Sequence, residues 1–78
     1  FDVSYNNFQI IGVNHSVGDT NYHVSLTPFL RAGEPVMDNP YGLYIQGKRD
    51  DYFEIVVASL GNNVGWIRLD VEYMIYVV

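Results

Sequence analysis

Apolar and polar residues alternate with a period of two along most of this chain, and no stretch sustains the three-and-four spacing of a helix. The clearest run spans residues 66–78. Its odd positions Ile67, Leu69, Val71, Tyr73, Ile75 and Val77 form one apolar face. Its even positions carry Arg68, Asp70 and Glu72, then turn apolar at Met74 and Tyr76. Successive strand side chains point to opposite faces, so this pattern predicts a strand with one side against a core. Residues 52–58 read the same way, with Phe53, Ile55 and Val57 sharing a face. Within residues 22–28, Tyr22, Val24 and Leu26 are predicted inward and His23, Ser25 and Thr27 outward. Residues 8–13 and 41–46 suit strands by their aromatic and β-branched content.

The punctuation agrees with these runs. Gly18-Asp19-Thr20-Asn21 and Gly61-Asn62-Asn63 are rich in residues that tolerate positive φ, and Lys48-Arg49-Asp50-Asp51 is a short polar connection suited to a hairpin. Residues 31–40, with Gly33, Pro35 and Pro40, form the longest irregular piece. The expectation is an all-β fold, a small antiparallel β-sandwich or barrel of jelly-roll character with about five to six strands.

Size limits what such a fold can do alone. The 78 residues make one β-sandwich domain over 1–78. An opening Phe1 rather than Met reads as a fragment of a longer chain. A compact chain of this mass exposes roughly 4,800 Å² and gains on the order of 120 kcal/mol from apolar burial, against a similar ordering cost. The monomer is marginal, and no cysteine is present to staple it. The strand ending at Val78 is apolar on both faces near its end, which would template aggregation if left bare. Either this is a central strand covered on both sides within one chain, or the face of Arg68, Asp70, Glu72, Met74 and Tyr76 meets a neighbouring subunit. The small unstapled core favours the second. Trp66, the one tryptophan, is expected to plug the core in the company of Phe8, Phe53 and Leu69.

Charge and hydropathy narrow the partners. Nine acidic residues against four basic ones give a net charge of −5, which disfavours nucleic acid and anionic membranes. No apolar run approaches the roughly 18 residues of a membrane span, so membrane insertion is not expected.

The order of features resembles a domain found at the ends of phage tail fibres and similar trimeric adhesins, and is distantly similar to the H-type lectin β-sandwich. The matching residues are Tyr22-His23-Val24-Ser25-Leu26-Thr27-Pro28, then Tyr44 with Lys48, then Tyr52-Phe53-Glu54-Ile55, then Trp66-Ile67. They cover about residues 8–76, and each motif is a strand carrying an aromatic. The resemblance implies a homotrimeric receptor-binding tip, extracellular or on a virion surface, that engages a cell-surface glycan or receptor.

Candidate chemistry is sparse. Without cysteine or a Gly-x-Ser-x-Gly turn, Ser4, Ser16, Ser25 and Ser59 have no nucleophile setting, and no catalytic residue is expected. Asp70 and Glu72 share a face, yet Arg68 shares it too, and an ion-pair ladder accounts for all three. His15, Asp19 and His23 match no metal template, and neither do Asp38-Asn39 and Asp50-Asp51, so neither metal nor cofactor is expected. Seven tyrosines and seven asparagines suit a binding surface, since aromatic faces stack on sugars and amides both donate and accept. The loop candidates for ligand binding are Asn14, His15, Asn21, Asp38, Asn39, Tyr41, Arg49 and Asp50. The alternative is a purely structural trimerisation, fibre or capsid-decoration domain.

Overall fold

The computed structural model describes residues 1–4, 7–29, 41–60 and 66–78, with the side chains of Ser4, Trp66 and Ile67 outside that set. Among the described residues the chain is all β: β1 (Asp2–Ser4), β2 (Phe8–Asn14), β3 (Tyr22–Phe29), β4 (Tyr41–Gln46), β5 (Tyr52–Ser59), β6 (Trp66–Arg68) and β7 (Asp70–Val77). Every pairing is antiparallel. A three-stranded sheet runs β2-β5-β4, and two two-stranded sheets pair β3 with β7 and β1 with β6.

The predicted alternation decides which faces meet. In β3, Tyr22 is buried and Val24 and Leu26 are half-buried, while His23, Ser25 and Thr27 are exposed. These inward residues pack with Phe53 and Ile55 of β5, Leu43 and Ile45 of β4, and Ile75 of β7. Phe53 lies edge-on to Tyr73, with ring centroids 5.8 Å apart. A second cluster joins Val3, Val57 and Leu69, and Phe1 and Leu43 touch both clusters. Two layers thus share one apolar interior. The chain exposes 5115 Å², slightly above the roughly 4,800 Å² usual for its mass.

Two features depart from the pattern. The long C-terminal run is interrupted at Leu69, whose backbone exchanges hydrogen bonds with Phe1: Phe1 N donates to Leu69 O at 2.7 Å, and Leu69 N donates to Phe1 O at 3.1 Å. That exchange continues the antiparallel register of β1 with β6, in which Phe1 stands opposite Leu69. The other departure is β5, which sits at the centre of its sheet. Val56, on the opposite face from Phe53, Ile55 and Val57, is only 2% exposed. Phe8, expected beside Trp66 in the core, instead stands 62% exposed on that same outer face. The expectation for Trp66 concerns a side chain outside the described set.

Candidate functional site

Register places the residues of the outer face. Across the β2-β5-β4 sheet, Asn14 is opposite Tyr52, and Gly12 is opposite Glu54, itself opposite Gln46. The ring of Tyr52 leans across the bare backbone of Gly12. A Cβ there would stand 2.5 Å from the Tyr52 hydroxyl, so only glycine leaves room for the ring. The Tyr52 hydroxyl then donates to Glu54 Oε2 at 3.0 Å, and Gln46 Nε2 donates to Oε1 at 3.3 Å. Both carboxylate oxygens are held, and each keeps a lone pair for a further donor.

The turn from β4 to β5 builds the facing wall. Gly47 turns the chain at φ +59°, a left-handed conformation that suits glycine. Arg49 N donates to Tyr52 O at 2.7 Å and closes the hairpin. The loop is also tied to the rest of the molecule: His15 N donates to Asp51 O at 2.8 Å and Gly18 N to Asp50 O at 3.0 Å. From the other sheet, the buried Tyr22 hydroxyl donates to Arg49 O at 2.7 Å and lies 3.2 Å from Tyr52 O. Lys48 Nζ sits 4.5 Å from the centre of the Tyr22 ring, a cation–π contact that covers this anchor.

Between these walls lies an open cleft of about 470 Å³ lined by Asn14, Gly47, Arg49, Asp51, Tyr52 and Glu54. Its charged groups are one guanidinium and two carboxylates, set beside an aromatic ring and an amide. The Tyr52 phenol titrates above the usual tyrosine value, first because its proton is shared with the Glu54 carboxylate and then because of burial. Burial likewise pushes Tyr22 upward, with Asp50 and Asp51 adding to the effect. Both phenols are held protonated. The cleft offers hydroxyl-sized donors and acceptors around a ring, a set suited to binding a polyhydroxylated molecule.

The loop candidates divide. Asn14 and Arg49 come together in the cleft. Asp50 is exposed beside it and contributes its carbonyl to the loop anchor. His15 turns inward: its ring centroid is 4.6 Å from that of Tyr22 and 5.8 Å from that of Phe53. Val17 N donates to His15 Nδ1 at 3.2 Å, while Nε2 is buried without a partner among the described residues. Asn21 belongs to a turn, its backbone N–H donating to Asp19 Oδ1 at 2.8 Å. Tyr41 is half-buried against the Val3–Val57–Leu69 cluster. Asp38 and Asn39 lie outside the described residues. Gly47, Asp51, Tyr52 and Glu54 are cleft residues that the loop reading did not name.

The residues expected at a subunit contact lie along the closing strands. Arg68 Nε is 3.7 Å from Asp2 Oδ1 of the paired β1. Asp70, Glu72, Met74 and Tyr76 pair across β3 with Phe29, Thr27, Ser25 and His23. Met74 and Tyr76 are 56% and 50% exposed, so the outward side of β7 is not covered within the described chain.

Among the described residues no group of three or more His, Cys, Asp or Glu side chains could hold a metal ion. No helix among them is long and apolar enough to cross a membrane. The fold and cleft define a small antiparallel β-sheet domain with an open polar site on one outer face. Comparison with family models, with curated proteins and with solved structures finds no match for the chain.

Proposed function

We propose that this domain is a non-catalytic binding module for a cell-surface carbohydrate, acting at the outer face of the β2-β5-β4 sheet. The observation that carries this reading is the meeting of Asn14 and Arg49 with the Tyr52–Glu54 pair in one open polar cleft. In this reading the Tyr52 ring stacks on the C–H face of a sugar. Glu54 and Asp51 accept from its hydroxyls, and Asn14 and Arg49 complete the ring of polar contacts. A shallow site of this kind binds weakly, and repeated copies raise the effective concentration without new contacts. A trimeric appendage such as a phage tail-fibre tip, extracellular or on a virion surface, would supply three sites. The half-exposed Met74 and Tyr76 supply an apolar strip on the other sheet where copies could meet.

A glycan array probed with the assembled protein tests the binding role. Glycan capture by the wild type, lost in Glu54→Gln and Arg49→Ala with folding retained, supports it; a blank array overturns it. The same strip favours a second reading, a purely structural trimerisation or fibre domain. A blank array together with dissociation-coupled unfolding on dilution would support that alternative. A mass that stays monomeric at every concentration overturns the trimeric form of both readings.

A further inference from the structure

The polar cleft has an apolar neighbour on the same sheet face. Rows on one face of a sheet follow each other about every 7 Å along the strands. After the row of Gly12, Glu54 and Gln46 comes Ile10, Val56 and Tyr44, and then Phe8, Ala58 and Gly42. Phe8, Ile10, Tyr44, Gln46, Val56 and Ala58 line a second cleft of about 340 Å³. Leu60 stands beside Gly42 at the far end, its methyl 3.7 Å from where a Cβ would be. Gln46 links the two: it lines the apolar groove, and its amide donates to Glu54, which lines the polar cleft. Among the described residues no charged side chain lines the groove, whereas three line the cleft.

From this continuity we propose that the natural ligand is amphiphilic, a glycoconjugate whose sugar occupies the polar cleft and whose apolar aglycone lies along the Ile10–Val56–Tyr44 groove. The proposal rests on the carbohydrate reading of the cleft and adds the class of molecule to it. A sugar alone leaves exposed Phe8, Ile10 and Tyr44 wet. A chain attached to its anomeric carbon removes that apolar surface from water, and each buried methylene strengthens binding. Val56 at the centre of the groove is only 2% exposed, so the surface offered to a chain is that of the flanking Ile10 and Tyr44.

The test compares methyl and octyl glycosides of glucose, galactose, mannose and N-acetylglucosamine, titrated below micelle formation, with octyl polyethylene glycol as a sugar-free control. The expected result is at least tenfold tighter binding of one octyl glycoside than its methyl counterpart. Amide shifts should then extend from Asn14, Arg49 and Glu54 to Ile10, Tyr44 and Val56. Ile10→Ser and Tyr44→Ser, both at exposed positions, should erase the gain and leave methyl glycoside binding intact. Equal methyl and octyl affinities, or shifts confined to the cleft, overturn the proposal and leave the carbohydrate reading standing. Equal binding of all octyl compounds, with or without sugar, overturns both, as does no binding by any glycoside. Concentration-dependent shifts at Ile10 and Tyr44 with a doubling of mass would give the groove to a second copy and overturn the proposal too.

Discussion

The buried hydroxyl of Tyr22 donates to the carbonyl oxygen of Arg49 at 2.7 Å, joining β3 in one layer to the β4–β5 turn that serves the other. The same hydroxyl lies 3.2 Å from Tyr52 O, so one side chain bridges both ends of the turn that carries Arg49 and Asp51. The turn that carries Arg49 and Asp51 is therefore anchored by a residue that does not line the cleft.

Tyr22→Phe keeps the ring and removes the anchor. Tyr52 O keeps the Arg49 N–H, so the variant takes one donor from Arg49 O and should cost about 0.5–1.5 kcal/mol, measured by chemical denaturation. Hydrogen exchange at the Arg49 amide, bonded to Tyr52 O at 2.7 Å, should accelerate beyond the global effect. Unchanged exchange at that amide would mean the turn holds itself.

Alkaline pH should act on the same anchor. Tyr22 and Tyr52 both titrate above the ordinary tyrosine value of 10.0, so the folded state keeps protons that the unfolded chain gives up. Their contribution is fully present below pH 10.0 and is lost as pH rises through the elevated folded values. Unfolding midpoints should fall above that pH, and two phenols should ionise late by phenolate absorbance. A stability flat across that range would contradict the assignment.

Gly12→Ala should separate site from fold. The new methyl meets the far end of the Tyr52 side chain, which can swing aside, so stability should change by less than about 1 kcal/mol. The swing breaks the Tyr52–Glu54 hydrogen bond, and glycan capture should drop at least tenfold. Retained capture would show that the Tyr52 ring plays no part in recognition.

Two phenylalanines should behave oppositely. Phe53 is fully buried and Phe8 is 62% exposed. Phe53→Ala should cost about 3–5 kcal/mol, enough to unfold so small a domain, whereas Phe8→Ala should stay within about 0.5 kcal/mol of the parent. Thermal melts of the pair measure this directly.

Much of the fold is legible in the chain because alternation is a local signal. Tyr22, Val24 and Leu26 face inward opposite His23, Ser25 and Thr27 as their spacing predicts, and the Lys48–Asp51 hairpin follows from its polar turn. Sheet order is not local. Val56 is apolar in either role, and only its place in a central strand buries it. The backbone exchange at Leu69 is with Phe1, 68 residues away. The candidate cleft was legible at only two of its six lining residues, for the same reason. Asn14 and Arg49 stand out as polar groups at strand ends. Tyr52 and Glu54 look like ordinary outward strand residues until register sets Gly12 against them. Their spacing of two, on one outward face beside a glycine-bearing strand, was the available signal. His15 carried no mark of its inward turn, which the backbone contacts of its loop impose.

The pairing of β3 with β7 sets the order in which the molecule can assemble. The β4–β5 hairpin closes with neighbours in sequence, and β2 can join it early. Tyr22, however, finds Val77, and Phe29 finds Asp70, only once the segment through residue 77 exists. During synthesis β3 must wait with its ladder groups open, so folding should be slow for a molecule this small.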